Sequence, residues 1–108
     1  MQISDSELAV REDREGPCLL LKGPIEIRLA PQLHRLAQEL AATPGRVRID
    51  WTETTHLSAA ALQVLMALES ALVSAGGALE APAPPPELAE SLRRTGWRIP
   101  GGVDCERE

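Results

Sequence analysis

Between Leu29 and Val73 the apolar residues change period twice, and this constrains the fold more than any single motif. Leu29, Leu33, Leu36 and Leu40 fall at i, i+4, i+7 and i+11, one stripe of a helix. Arg46-Val47-Arg48-Ile49-Asp50-Trp51 alternates with period two, so Val47, Ile49 and Trp51 share one face of a strand. The helical period then returns from about Ala59 to Ala75, with Leu62, Leu65, Leu68, Leu72 and Val73 as the expected inner face. A strand flanked by two helix-length segments is the pattern of crossover connections in a parallel sheet.

The flanking segments complete the pattern. Glu7–Glu12 reads as an edge strand with charged outward residues, Arg11–Gly16 as a charged turn, and Cys18–Leu21 as a short buried strand ended by Gly23-Pro24. The closeness of these two strands predicts a hairpin. Pro31 suits the first turn of the first helix, and Thr43-Pro44-Gly45 stops it. Thr52–His56 reads as a polar loop, Ser58 as an N-cap, and Gly76-Gly77 as a left-handed helix stop. Ala78–Ala81 is a weak strand, Pro82–Pro86 a turn, and Glu87–Thr95 a short helix with acids first and arginines last. Gly96 ends that helix, and Trp97 is expected to fold back on Leu92. The fold class is therefore α/β: a small mixed sheet of four to five strands, helices mainly on one face, in the order strand-strand-helix-strand-helix-strand-helix. One domain over residues 1–98 and a flexible tail over 99–108 are expected in this chain of 108 residues.

Composition removes several function classes. With no Phe or Tyr and only Trp51 and Trp97, the core has to be aliphatic and no stacking platform for bases is expected. A net charge of −5 argues against nucleic acid as a partner. No apolar run reaches the ~18 residues of a membrane span, and Met1–Glu7 is unlike a secretory signal. Cys18 and Cys105 suggest no disulfide framework, so reduced thiols and a cytoplasmic location are expected. Two Cys and two His, scattered, give no metal-ligand spacing, and no cofactor motif is present.

An enzyme reading has to use Asp50, Glu53 and His56 at the end of the third strand with Ser58 at the following helix start. That set has no G-x-S-x-G elbow, phosphate-cradling loop or H-E-x-x-H spacing, and a serine there serves more simply as a cap. The same crevice could hold a small ligand or nucleotide at the helix N-terminus, but only Arg48 supplies a nearby cation. His34 is expected on the surface and Cys18 in the core. Ser58-Ala59-Ala60-Ala61-Leu62 opens a helix with very small side chains, which either pack closely on the sheet or leave the helix tip open to another protein.

At these residues the sequence resembles the STAS domain family of anti-sigma factor antagonists and sulfate-transporter cytoplasmic tails. Gly23-Pro24-Ile25-Glu26-Ile27 stands where the family has a strand ending in a Gly-x-(Leu/Ile)-Asp-type turn, and Arg46–Asp50 matches the strand that ends in Asp. His56–Leu65 is similar to the segment written x-(Ile/Val)-Asp-(Ser/Thr/Ala)-(Ser/Ala)-Gly-Leu-x-x-Leu. The Ala-rich start and Gln63 are similar to the branch containing the small STAS subunit of Mla-type phospholipid transporters; stand-alone STAS proteins encoded with chemotaxis kinases are similar too. The chain departs from the family where partner switching occurs. Ser58 takes the Asp position, Ala59 and Ala60 the two hydroxyl positions, and Ala61 the Gly position. No phosphoacceptor stands at the usual place; Ser58, or Thr55, would be a displaced one. The resemblance implies a non-enzymatic interaction module docking a protein through Thr55, His56, Ser58, Ala59, Ala60 and Gln63. Its partner would be an ABC transporter ATPase, or a signalling kinase or anti-sigma factor.

Overall fold

The computed structural model describes residues 7–14, 16–42 and 45–97. Its elements are β1 (Leu8–Asp13), β2 (Gly16–Ile25), a 3-10 turn (Ile27–Leu29), α1 (Ala30–Ala41), β3 (Arg46–Leu57), α2 (Ala59–Ser74), β4 (Ala78–Glu80) and α3 (Pro86–Thr95). The expected order is observed. The four strands lie in the sheet order β1-β2-β3-β4, with β1 antiparallel to β2 and the other neighbours parallel. Both crossovers step in the same direction along the sheet, so with the usual right-handed connection α1 and α2 lie on one face. The predicted tail over 99–108, with Cys105, lies outside the described residues.

Register sorts the side chains. Val10, Leu19 and Ile49 form one row, and Val47 and Leu79 another. All but Val10, at the sheet edge, are buried against Leu33, Leu40, Leu65, Leu68 and Leu72 of α1 and α2. The opposite face carries Arg11, Cys18, Arg48 and Glu80 in one row across all four strands. Cys18 is buried, but on that face rather than in the main core cluster. The core is aliphatic apart from Trp51, which is fully enclosed and donates its indole N–H to the Pro82 carbonyl at 2.9 Å. Trp97 meets Trp51 edge to face at 6.3 Å and donates to the Glu69 carboxylate at 3.1 Å. The two indoles are neighbours in space, and Trp51 leaves no open ring face for a base.

Several boundaries move. The hairpin pairs through Asp13 and Gly16, so most of the expected charged turn belongs to strands. β2 continues through Gly23-Pro24 to Ile25, with register irregularities between Leu20 and Lys22 and between Gly23 and Pro24. Such bulges let proline sit in a strand, because the ladder is already interrupted there. β3 runs on to Leu57, so Thr52–His56 is strand and not loop. Val73, expected inside, is 58% exposed. No helix among the described residues is long and apolar enough to cross a membrane.

Candidate docking surface at the start of the second long helix

The end of β3 and the start of α2 form one construction. Thr54 is buried, and its hydroxyl donates to the Leu21 carbonyl at 2.9 Å, tying the polar part of β3 to β2. Thr55 and His56 are exposed, while Leu57 returns to the core. The Ser58 backbone N–H donates to the Ile25 carbonyl at 2.9 Å, which fixes the helix start beside the end of β2. The Ser58 hydroxyl accepts from the Ala61 N–H at 3.1 Å, the side-chain N-cap expected from the sequence. Replacing Ser58 by alanine is expected to lower the unfolding free energy by about 1 kcal/mol, measured by urea denaturation.

Ala59 is exposed, Ala60 half-buried and Ala61 fully buried, so the alanines do both things the sequence allowed. Ala61 lets the helix sit close on the sheet. Ala59 and Ala60 leave its tip low and open. Gln63 is exposed one turn along. Thr55, His56, Ser58, Ala59, Ala60 and Gln63 thus come together around one helix tip, with exposed Ile27 in the neighbouring 3-10 turn. In the sequence Ile27 stands only as the last residue of the Gly23–Ile27 turn, with no site role; the signal it carries is an apolar residue that has no helical stripe to join.

The enzyme constellation is not assembled. Asp50, Glu53 and His56 lie along a single extended strand, so Asp50 and His56 are about 20 Å apart at 3.3 Å per residue. Asp50 accepts instead from the Thr52 backbone N–H at 3.2 Å and its hydroxyl at 2.9 Å. Asp50 also lines a shallow depression of about 430 Å³ with Arg11, Cys18, Arg48 and Glu80, on the sheet face away from α2. The proposed ligand crevice is therefore split: the acid lies on one side of the sheet and the helix tip at its end. Among the described residues no group of three or more His, Cys, Asp or Glu is placed to hold a metal ion.

Comparison with known proteins agrees with this architecture. The family model described as the Mlab STAS domain matches residues 8–99. An anti-sigma factor antagonist from Mycobacterium paratuberculosis superposes with a TM-score of 0.73 at 20% identity, over 91% of this chain and 87% of that one. The anti-sigma factor antagonist SpoIIAA in its unphosphorylated form superposes with a TM-score of 0.71 at 11% identity, over 82% of this chain and 80% of that one. No match is found among curated proteins.

Proposed function

The chain belongs to the STAS domain family in its MlaB branch, and from that premise we propose a non-enzymatic regulatory module that docks a protein partner through the tip of α2. The observation that carries this reading is the open helix start. Ala59 and Ala60 present little more than methyl groups and backbone, framed by exposed Thr55, His56 and Gln63. A partner side chain can therefore approach the helix closely, and a few closely packed contacts of that kind dominate interface energies. Methyl groups at 59 and 60 accept no phosphoryl group, so the added charge of about −1.5 to −2 that would alter docking has no attachment point there. Occupancy then follows the concentrations of the two proteins, in the cytoplasm.

The preferred partner is the ATPase of an ABC transporter for phospholipids, following the MlaB branch. An anti-sigma factor or signalling kinase is the second reading, favoured by the names of the two solved relatives. The discriminating experiment measures affinity for the purified product of the adjacent partner gene, by calorimetry or surface plasmon resonance. Ala60→Arg is expected to weaken binding at least ~30-fold, a loss of about 2 kcal/mol, without changing the melting temperature by more than a few degrees. Unchanged affinity would remove this surface from the function.

A further inference from the structure

Among the described residues the large apolar side chains left exposed are Val10, Ile27, Met66 and Val73, and the last two, 42% and 58% exposed, both stand on α2. They share one side of that helix. Leu62, Met66, Glu69 and Val73 follow one another at intervals of four, three and four residues, which stacks them in a single stripe. Leu62 is buried and Glu69 half-buried, while Met66 and Val73 stay open. The other helices turn polar residues outward instead, Gln32, Arg35, Gln38 and Glu39 on α1 and Glu87, Glu90, Arg93 and Arg94 on α3.

The chain leaves α3 beside this stripe. Gly96 ends the helix in a left-handed conformation. Trp97 then sets its ring edge-on to Trp51 and donates its indole N–H to the Glu69 carboxylate at 3.1 Å. Met66 and Val73 are the neighbours of Glu69 one turn before and one turn after, about 5–6 Å away between Cβ atoms. Trp97 therefore anchors whatever follows it at the middle of the exposed patch. The next apolar residues after it, Ile99 and Val103, come two and six positions later, within about 7 and 20 Å of it along an extended chain. Pro100 disfavours helical geometry at Ile99, and Gly101-Gly102 is a poor helix former, so the sequence favours an extended path. Such a path separates Ile99 from Val103 by about 13 Å. Met66 and Val73 are two turns apart, about 10.5 Å, close enough to that spacing for side chains to make up the difference.

We propose that residues 98–103 form an intramolecular strap that seats Ile99 and Val103 on Met66 and Val73. The tether selects this occupant over a second copy of the chain. A short linker holds the strap at an effective concentration of about millimolar, against which free chain at micromolar concentration competes poorly. A bilayer surface also fits poorly, since no Lys or Arg lies on α2 to meet lipid headgroups. Ala59 lies two further turns towards the helix start, so the strap leaves the tip of α2 open and stands independently of the docking function proposed above.

Methyl NMR of the full chain tests the contact. Nuclear Overhauser effects are expected between the methyls of Ile99 and Val103 and those of Met66 and Val73, unchanged on dilution. Trypsin gives a second readout at the Arg98–Ile99 bond, because cleavage follows the population of the open form. Met66→Glu combined with Val73→Glu is expected to speed that cleavage at least ~5-fold, with the circular-dichroism melt unchanged. Val103→Asp, on the other side of the contact, is expected to speed it severalfold and to shift the Met66 methyl resonance. This second variant decides the matter should the helix variant fail to fold. Contacts that fade on dilution would assign the patch to a second copy, and missing contacts with cleavage indifferent to both variants would leave it to solvent. Either result overturns the strap and leaves the docking function to be judged by Ala60→Arg.

Discussion

Replacing Trp51 by alanine is expected to lower the unfolding free energy by about 3–5 kcal/mol, the cost of emptying a large aromatic site in a close-packed core. Two observations favour the upper part of that range. The ring is fully enclosed between β3, α2 and α3, where no solvent can fill the void, and its edge-on contact with Trp97 adds to the area it buries. The indole N–H also holds the Pro82 carbonyl at 2.9 Å, and so the proline-rich connection between β4 and α3. For a domain this size the loss corresponds to a fall of roughly 12–20 °C in melting temperature. Trp51→Phe keeps most of the volume but leaves Pro82 without its donor, and is expected to cost about 1–2 kcal/mol. Thermal and urea denaturation followed by circular dichroism measure both. Fluorescence adds a local readout, because Trp97 then reports alone and its emission is expected to shift red as its neighbour disappears. An alanine variant within 1 kcal/mol of the parent would show that α3 is not fastened through this ring.

Element order was legible because the apolar period changed cleanly, and Leu33, Leu40, Ile49 and Leu65 went inside as their spacing requires. The end of β3 was not legible. After Trp51 the strand shifts phase, so Thr54 and Leu57 face inward instead of residues 53 and 55, and strict alternation fails at the irregular pairing with β2. Thr52-Glu53-Thr54-Thr55 consequently looks like a solvated loop, although threonine is a good strand residue and the Thr54 hydroxyl finds a carbonyl in β2. Pro24 misled for a related reason: it stops a regular strand but is tolerated beside a bulge. Val73 reads as an inner residue because apolar side chains occur on more than one side of α2, so periodicity alone does not say which side the sheet covers. The helix tip was legible in composition, since Ser58 followed by three alanines fixes a cap and small side chains. Whether those methyl groups were covered depended on the distance between α2 and its neighbours, which no local pattern encodes.

That distance is set at both ends of α2, and the far end carries the second large effect. Gly77→Ala is expected to destabilise the fold by about 3 kcal/mol, towards the upper end of overpacking penalties. A Cβ on Gly77 would overlap the Gly45 carbonyl oxygen and crowd the Gly45 backbone around it. The obstacle is main chain on both sides, so no side chain can swing away to make room. The same Gly45 carbonyl accepts from the Ala78 N–H at 3.0 Å, so any shift that relieves the clash also strains the bond that starts β4 beside β3. Gly76 is different in kind: its φ of +88° supplies the left-handed step after the helix, with open space where a Cβ would stand. Gly76→Ala is therefore expected to cost only about 1 kcal/mol, through backbone conformation alone. Urea denaturation of the two variants separates steric from conformational cost. The larger loss at Gly77 also carries a functional signature. With its near end tied by Ser58 to Ile25 and its far end released from Gly45, α2 would tilt on the sheet, and partner affinity would fall under conditions where the variant is still folded. Equal costs at the two glycines would mean that the crossover yields freely, and that the close approach of Gly77 to Gly45 does not hold the helix in place.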